Sequence, residues 1–473
     1  MREDDRMKKL TIIGSGPAGY TAAFAAARAG HAVTLVESEA IGGTCLNSGC
    51  IPTKTFKSSA DILDKFRHMS EFAVTGSSQA AIDMALLLER KNRVIRLLAQ
   101  GLEKSCAHLN VAVAKGRGRL VSAQQVQVTA KDGGTQRIDG DAVILAVGSR
   151  PLELPALPTD KRHILTSDDV LNLDRVPASI CIVGGGVIGC EMACIFRAFG
   201  AEVTVVEGQN RLLPLPAVDE EISKLLHREL KKAGIKVETG VTVSRAEVGD
   251  GGVRLHTEAA SGERSSVPPP LEVESVFVTV GRVPDTEGLG LETAGVACDA
   301  RGWVQTDAFL ETSVPGVYAI GDILGPGKIM LAHMAAAEAE CVVENLGQQS
   351  TPCDYSLVPS AIFTTPEIGC VGLSEAQALA KGRNVRCARL HVRELGKAHA
   401  MGEIAGMFKL VIDAESQAIL GAHICGPHAT DLIAEAALAI HMGASVEDVA
   451  STIHAHPTLA EGFGDLCRIA KLA

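Results

Sequence analysis

Apolar and small residues follow the same order in two separate stretches of the chain. Each stretch opens with an apolar run that ends in glycines, LTIIGSG at 10–16 and CIVGGG at 181–186, and continues as an Ala-rich segment with helical spacing. A second apolar run closes each stretch, AVTLVE up to residue 37 and AEVTVVE up to residue 207. This order of strand, turn, helix and strand predicts two βαβ units, each with a parallel sheet.

The pattern changes along the rest of the chain. Apolar residues at helical spacing predict helix over most of 54–110, and short runs predict strands at VAVAKGRGRL, QVQVTA and DAVILAVG. Residues 303–322 predict a strand that returns to the first unit. From about residue 352, strands precede the helical run TDLIAEAALAIHMG. The sequence therefore predicts an α/β fold with two Rossmann-like dinucleotide-binding domains and a separate C-terminal α+β domain.

Both Gly-rich turns match the dinucleotide-binding fingerprint, in which an acid closes the second strand. In each copy the acid lies 23 positions after the first glycine. The first glycine makes the tight turn, the second lets the backbone approach a pyrophosphate, and the third lets helix and strand pack closely. The chain is therefore predicted to bind two dinucleotides, with their phosphates at the helix N-termini. The residues concerned are Gly14, Gly16, Gly19 and Glu37 in the first copy and Gly184, Gly186, Gly189 and Glu207 in the second.

The residues around each acid favour a different dinucleotide. Glu207 would repel a 2′-phosphate, and Gly208, Gln209 and Asn210 after it form no basic cluster, so the second turn favours NAD over NADP. The first turn is the better candidate for a flavin dinucleotide, because a pair of cysteines follows Glu37 closely.

That pair, Cys45 and Cys50, lies in GGTCLNSGCIPTK at residues 42–54. The pair could be a metal clip, a structural staple or a disulfide that opens and closes. A zinc site would need further cysteines or histidines at ligand spacing, and none lies nearby. A disulfide that survives in a reducing compartment is usually catalytic.

Composition indicates that compartment and excludes several classes of protein. Acidic residues outnumber basic ones by 56 to 45, the net charge is −11 and no basic run occurs, so nucleic acid is an unexpected partner. The first residues, MREDDRMKKL, do not resemble a signal peptide, and no long apolar run predicts a membrane span. Thirteen cysteines are an odd and sparse set for a secreted scaffold. We therefore expect the cytoplasm, with cysteines such as Cys181, Cys190, Cys194 and Cys341 as small buried apolar residues.

Two further segments carry candidate chemistry. In HAHPTLAEGFGD, Pro457 suits the first turn of a helix, and Glu461 is placed to orient His456 as a general acid/base, although a His before a Pro is more often structural. Asp322 follows the strand GVYAIGD, where its carboxylate could meet the hydroxyl groups of a nucleotide or could cap a helix.

Taken together, these segments resemble the pyridine nucleotide–disulfide oxidoreductase family over essentially the whole chain. The motifs that carry the resemblance are GSGPAG (14–19), GGTCLNSGCIPTK (42–54), GGGVIGCE (184–191), VGRVPDT (280–286), VYAIGD (317–322), MLAH (330–333) and HAHPTLAEGF (454–463). The resemblance implies an FAD-binding domain at 1–150 and 281–350, an NAD-binding domain at 151–280 and a C-terminal dimerisation domain at 351–473.

The resemblance also implies roles for the reactive residues. Cys45 and Cys50 would form a redox-active disulfide, in which Cys45 exchanges with the substrate and Cys50 lies against the flavin. Lys54 and Glu191 match a pair near the reactive edge of the flavin. His456 matches the acid/base and Glu461 its orienting carboxylate, both supplied by the partner subunit of a homodimer. The implied reaction is the oxidation of protein-bound dihydrolipoyl groups by NAD⁺, on the lipoyl domain of a 2-oxo acid dehydrogenase or glycine cleavage complex.

Further cofactor contacts follow from the same matches, and no metal is implied. Besides the fingerprint residues, the FAD contacts would be Gly43, Thr44, Lys54, Gly118, Val147, Gly148, Ser149, Asp322, Met330, Leu331, Ala332 and His333. The NAD contacts would include Glu191, Val243 and Gly281.

Single residues distinguish the implied reaction from those of related flavoproteins. A mercuric reductase would need a second cysteine pair near the C-terminus, where Cys467 is alone. A glutathione reductase would carry basic residues in place of Glu207. A flavoprotein without activity would have lost a catalytic Cys or His456. The main alternative is an NADH-dependent reductase of another low-molecular-weight disulfide.

Overall fold

A computed structural model describes residues 7–76, 79–260, 268–346 and 351–472. The first six residues, on which the expectation about a signal peptide partly rests, lie outside the described part. No helix among the described residues is both long and apolar enough to cross a membrane.

Strands and helices alternate along the first two thirds of the described chain, and an antiparallel sheet with helices follows. The strands are β1 (Lys9–Ile13), β2 (Ala32–Glu37), β3 (Ala112–Lys115), β4 (Arg117–Ser122), β5 (Gln125–Thr129), β6 (Thr135–Asp139), β7 (Ala142–Leu145), β8 (Ser149–Pro151), β9 (Ile164–Leu165), β10 (Ser179–Val183), β11 (Glu202–Glu207), β12 (Lys236–Thr239), β13 (Val241–Gly249), β14 (Gly252–Ala259), β15 (Leu271–Val273), β16 (Ser275–Val278), β17 (Arg282–Pro284), β18 (Val317–Ala319), β19 (Ser360–Ile362), β20 (Glu367–Gly372), β21 (Val385–His391), β22 (Met407–Asp413) and β23 (Ile419–Gly426).

The α-helices are α1 (Pro17–Arg28), α2 (Gly43–Asn47), α3 (Cys50–Arg67), α4 (Met84–His108), α5 (Ser167–Val170), α6 (Val187–Phe199), α7 (Glu220–Lys232), α8 (Leu291–Ala294), α9 (Ala332–Glu344), α10 (Glu375–Ala380), α11 (Gly396–Met401), α12 (Ala429–His441), α13 (Val446–Ser451) and α14 (Glu461–Leu472).

The first compact unit comprises Met1–Thr55, Leu88–Leu152 and Gly281–Tyr355. Its main sheet is parallel in the order β18-β7-β1-β2-β3, and a three-stranded antiparallel sheet, β4-β5-β6, follows β3 in the chain. The strands β1 and β7 are almost entirely apolar and buried, as is usual for a parallel sheet covered on both faces. Helices α1 and α9 pack against each other in this unit.

The second compact unit comprises Phe56–Leu87, Glu153–Val280 and Ser356–Ala473. It holds a parallel sheet in the order β12-β11-β10-β16-β9, with the antiparallel sheet β13-β14-β15. It also holds the five-stranded sheet β19-β20-β23-β22-β21, whose strands are all antiparallel. Helix α12 packs on β20 and β23, and α14 packs on β21 and β22.

The predicted α/β fold class, with two Rossmann-like sheets and a C-terminal α+β region, is confirmed. The strands of the two parallel sheets pair in the same relative order, so β1 and β10 each lie at the centre of their sheet. The domain limits given above stay a prediction. One local expectation was wrong. Pro457 was expected in the first turn of a helix, but it precedes α14, which starts only at Glu461.

Candidate active site

The first Gly-rich turn joins β1 to α1 and directs its backbone toward the end of β2. Glu37 is buried at that end, and one of its carboxylate oxygens accepts hydrogen bonds from Ser15 N at 3.0 Å and Ser15 Oγ at 2.5 Å. The other oxygen accepts from Glu39 N at 2.8 Å. Because a carboxylate has about four acceptor positions, Glu37 retains capacity for a ligand hydroxyl group.

The same turn fits the diphosphate of a dinucleotide. Gly16 is the N-cap residue of α1 and supplies no side-chain cap, so the first N–H groups of the helix have no partner within the helix. A Cβ atom on Gly19 would lie 1.8 Å from Gly14 O, which shows how closely helix and strand pack here. Backbone donors at a helix N-terminus beside a buried carboxylate are the groups that hold the phosphates and ribose of FAD or NAD.

The second Gly-rich turn has the same geometry. Glu207 is buried at the end of β11 and accepts from Gly185 N and from Gln209 N, both at 2.6 Å. Gly186 is the N-cap residue of α6, again without a side-chain cap. A Cβ atom on Gly189 would lie 1.9 Å from Gly184 O. This turn therefore fits a second dinucleotide for the same reasons.

The cysteine segment is fastened directly to the first turn. Gly42 N donates to Ser15 O at 3.0 Å and lies 3.3 Å from Ser15 Oγ. Gly43 has φ +57°, and a Cβ atom at that position would lie 2.6 Å from Gly16 Cα. Glycine is required there because two backbones meet. The start of α2 is thereby held against the predicted pyrophosphate site.

Cys45 lies in α2 and Cys50 is the first residue of α3. Cys45 is half-buried and Cys50 is exposed, and both are thiols. Their side chains are in hydrogen-bond contact, and this contact, with burial, raises the pKa of Cys45, whereas the charge of Lys54 lowers it. Cys50 lies at the N-terminus of an 18-residue helix, where the helix dipole favours a thiolate. The segment thus holds two thiols in different surroundings within reach of each other.

A second cluster in the first unit joins three of the motifs. Ser149 Oγ donates to Asp322 Oδ2 at 2.7 Å. Arg282 donates to Ser149 Oγ at 2.6 Å and to Ser149 O at 2.5 Å, and its Nε lies 3.8 Å from Asp322 Oδ2. Asp322 opens no α-helix, since it lies in a short 3₁₀ turn at Gly321–Leu324. The cluster fixes the carboxylate of Asp322 beside the turn Val147–Gly148–Ser149.

In the second unit, the side chains of His456 and Glu461 are within hydrogen-bonding distance of each other. Nδ1 of His456 lies 2.8 Å from Glu461 Oε2, and the His456 side chain is 77% exposed while that of Glu461 is 13% exposed. The contact with His456 and a bond from Thr458 N lower the pKa of Glu461. Glu461 N in turn lies 3.2 Å from Thr458 Oγ1, which explains why α14 begins at Glu461 rather than at Pro457. The geometry orients the ring and directs Nε2 outward.

The remaining predicted site residues occupy these places. Glu191 is buried on α6 and accepts from Phe363 N at 2.9 Å, within the second unit, whereas Lys54 belongs to the first unit, so their pairing stays a prediction. Thr44 lies on α2, Gly118 on β4, Met330 and Leu331 before α9, Ala332 and His333 in its first turn, Val243 on β13, and Gly281 before β17.

Sequence reasoning missed several residues that the structure brings to these sites. Ser15 and Arg282 lie inside quoted motifs, and their polar side chains between glycine or apolar neighbours were the available signal. Tyr20 on α1 lies near the cysteines, since burial and both thiols raise its pKa. His454 Nε2 lies 2.7 Å from Glu435 Oε1, which forms a second His–Glu pair beside the first.

Comparison with known proteins identifies the family of the chain. Residues 8–339 match the family model described as "Pyridine nucleotide-disulphide oxidoreductase", and residues 358–467 match its dimerisation domain. A dihydrolipoyl dehydrogenase of Chlamydia muridarum is 40% identical over 97% of this chain and 96% of its own length.

Solved structures show the same likeness. LpdA from Mycobacterium tuberculosis has a TM-score of 0.89 at 26% identity, over 98% of this chain and 100% of that one. The HOCl-induced flavoprotein disulfide reductase RclA from Escherichia coli has a TM-score of 0.85 at 28% identity, over 98% and 99%. The match to a dimerisation domain supports a homodimer.

Proposed function

Since the chain belongs to the pyridine nucleotide-disulphide oxidoreductase family, we propose that it uses FAD and NAD⁺ to oxidise dihydrolipoyl groups through Cys45 and Cys50. The observation that carries the proposal is the contact between these two thiols on a segment bonded to the first nucleotide turn. Full-length similarity to dihydrolipoyl dehydrogenases supports the substrate class. The net reaction converts a dihydrolipoyl group and NAD⁺ into a lipoyl group, NADH and a proton.

Two dinucleotides would be held by the two turns. Glu37, Gly14, Gly16 and Gly19 would hold FAD, with Ser149, Asp322 and the residues around Met330 along it. Glu207 and the glycines after β10 would hold NAD. When bound, FAD supplies the two-electron connection between the dithiol and NAD⁺, in which the electrons leave as a hydride.

The chain's own residues would carry the thiol chemistry. With Cys45 and Cys50 joined as a disulfide, a substrate thiolate attacks Cys45 Sγ, and Cys50 leaves as a thiolate at the N-terminus of α3. The second substrate thiol then attacks the substrate sulfur of the mixed disulfide, which breaks the bond of that sulfur to Cys45 Sγ and releases the Cys45 thiolate and the cyclic lipoyl disulfide. His456 Nε2 accepts the proton of the attacking thiol, and Glu461 orients the ring and stabilises its charged form.

The activity is tested by NADH formation from free dihydrolipoamide and from a lipoylated domain. We expect turnover with NAD⁺ that exceeds turnover with NADP⁺, and loss of at least about 10³-fold in kcat for Cys45→Ser. Cys298→Ser is the matched control, because Cys298 is an exposed cysteine of the same unit. Absence of turnover with dihydrolipoamide, together with NADH-dependent reduction of another small disulfide, would favour the alternative function and retain the thiol chemistry.

We also propose that each active site combines Cys45 and Cys50 of one subunit with His456 and Glu461 of the other. The matched dimerisation domain and the exposed ring of His456 support this arrangement. Subunits carrying Cys45→Ser and His456→Gln are refolded together in equal amounts. One intact site per mixed dimer should restore about a quarter of the wild-type activity, since half of the dimers are mixed. No recovery would contradict a shared site.

The proposed chemistry also indicates a physiological setting. Lipoyl domains of 2-oxo acid dehydrogenase or glycine cleavage complexes present the substrate, and we propose one of them as the partner. Thirteen cysteines spread through apolar segments suit a reducing compartment, and we propose the cytoplasm. Affinity of the purified dimer for lipoylated and unlipoylated domains of each complex identifies the partner.

A further inference from the structure

A second pair of neighbouring thiols lies in the first compact unit. Cys341 lies near the end of α9, and Cys353 lies in the extended segment that precedes Tyr355. Both are half-buried and pack against the same apolar core. The Cys341 and Cys353 side chains are within hydrogen-bonding reach of each other. Cys341 was expected to be a small buried residue, as Cys181, Cys190 and Cys194 are, yet it is only partly covered.

An amide clamp fixes the two cysteines relative to each other. Asn345 is buried one turn after Cys341, and its Nδ2 donates to Cys341 O at 2.9 Å and to Thr351 O at 2.7 Å. Thr351 N returns a bond to Asn345 Oδ1 at 3.1 Å. Two residues later, Cys353 N donates to Ala308 O at 2.9 Å. The backbone on both sides of the thiol pair is therefore held in place.

We propose that Cys341 and Cys353 form a second, reversible disulfide by exchange with low-molecular-weight disulfides such as oxidised glutathione. Cys341 attacks one sulfur of the small disulfide, forms a mixed disulfide and releases the first small thiol. Cys353 then attacks the Cys341 sulfur and releases the second small thiol. Two protein thiols are oxidised, one small disulfide is reduced to two thiols, and the two protons leave on those thiols.

The surroundings assign these two roles. Burial raises the pKa of Cys341, and the contacts with the Cys353 thiol and with Asn345 Nδ2, 3.5 Å from the Cys341 sulfur, offset part of that increase. Burial and the Cys341 charge raise the pKa of Cys353 to about 12, so it reacts second. The Tyr355 hydroxyl contacts Cys353 and donates to Glu338 Oε1 at 2.6 Å.

The test is peptide mapping of the flavin-loaded dimer after incubation with oxidised glutathione. Cleavage after Glu separates the cysteines, because Glu344 lies between them, into residues 341–344 and 345–367. We expect these peptides to be joined, lighter by two hydrogens than the two reduced peptides, and to separate again with dithiothreitol. Cys353→Ser should instead leave a glutathione adduct on Cys341. If exposed Cys298 is fully modified while the two peptides remain unlinked, the proposal is wrong.

Two controls distinguish oxidation of a preorganised thiol pair from oxidation that follows general unfolding. Cys190 and Cys194 lie one turn apart on α6 and are both buried, so they should stay reduced. Their oxidation at the same rate would assign the reaction to unfolding and overturn the proposal. Asn345→Ala should slow formation of the Cys341–Cys353 disulfide about tenfold while flavin content is retained, since about 1.4 kcal/mol corresponds to a factor of ten in rate. An unchanged rate would contradict the clamp.

Discussion

The two Rossmann-like folds of this chain share the same strand order and turn geometry, and they differ in the groups bonded to the turn. Their sheets have the same strand order, and in each a buried glutamate accepts a bond from the second residue of the Gly-rich turn, Ser15 N at 3.0 Å or Gly185 N at 2.6 Å. In both, a Cβ atom on the third fingerprint glycine would lie within 2 Å of the first glycine's carbonyl oxygen, at 1.8 Å and 1.9 Å. These shared features therefore predict a nucleotide site in each fold.

The difference lies at the second position of the turn. Ser15 uses its hydroxyl to bond Glu37 and its carbonyl oxygen to receive Gly42 N, so the cysteine segment is fastened to the nucleotide turn. Gly185 has no side chain, and a Cβ atom there would lie 2.7 Å from Leu212 Cδ2. The first turn is thereby bonded to the segment with the two cysteines, through the Ser15 backbone and its hydroxyl group, whereas the second turn is packed against an apolar side chain.

Substituting the third glycine of each turn should have the largest effect and should differ between the two folds. Gly19→Ala places a methyl group against Gly14 O, and Gly189→Ala does the same against Gly184 O. We expect Gly19→Ala to lose its flavin and all activity, and Gly189→Ala to keep its flavin and raise KM for NAD⁺ by two orders of magnitude or about 3 kcal/mol. Flavin absorbance per subunit and steady-state kinetics measure both. Equal flavin loss in the two variants would show that the folds are not independent.

Removing the second acid should weaken NAD binding while the redox segment stays intact. Glu207→Gln replaces the carboxylate that would accept ribose hydroxyl groups, and hydrogen bonds to a charged group are worth about 1.5–3 kcal/mol. KM for NAD⁺ should rise about 10- to 100-fold, and the preference over NADP⁺ should shrink because repulsion of the 2′-phosphate is lost. Glu202→Gln, at the exposed start of the same strand, is the control. An unchanged NAD⁺/NADP⁺ ratio would contradict the role of Glu207.

Making the first turn resemble the second should give a smaller effect. Ser15→Gly removes the hydroxyl that bonds Glu37 and lies near Gly42 N, and leaves the backbone bonds of the turn in place. We expect weaker flavin retention and a kcat lower by up to about tenfold, or about 1.4 kcal/mol. Flavin release on dilution and dihydrolipoamide turnover measure the two effects. Full retention of both would show that the backbone bond alone positions Cys45.

Features that depend on short spacings could be predicted from the sequence, whereas contacts between distant segments could not. The fingerprints, the cysteine pair and the His–Glu tail are set by short spacings, so residue patterns found them. The bond from Ser149 to Asp322 and the Arg282 contacts join segments that are far apart in the chain, and no short pattern encodes them. The start of α14 was misplaced. Pro457 was taken as a first-turn residue, whereas the bonds between Thr458 and Glu461 start the helix at Glu461.

Glu338 is a buried acid on α9 of the first unit that sequence patterns did not distinguish. Its carboxylate accepts from Gly321 N and from the Tyr355 hydroxyl, both at 2.6 Å, and so supports the backbone next to Asp322. Burial raises the pKa of Glu338 to about 7. A carboxyl group whose pKa is raised by folding binds its proton more tightly in the folded state, so its stabilising effect is lost as pH rises from about 4.5 to about 7.

Stability of the flavin-loaded protein should therefore fall by about 1 kcal/mol between pH 6 and pH 7 through this group alone. Glu338→Gln cannot titrate, so the difference in thermal midpoint between the variant and wild type should move in favour of the variant over that interval. Glu340→Gln, an exposed acid two residues further along α9, should follow wild type at every pH. If the Glu338→Gln difference stays constant from pH 6 to pH 8, Glu338 is already ionised throughout that range, and the support it gives to Gly321 and Asp322 is that of a permanent charge.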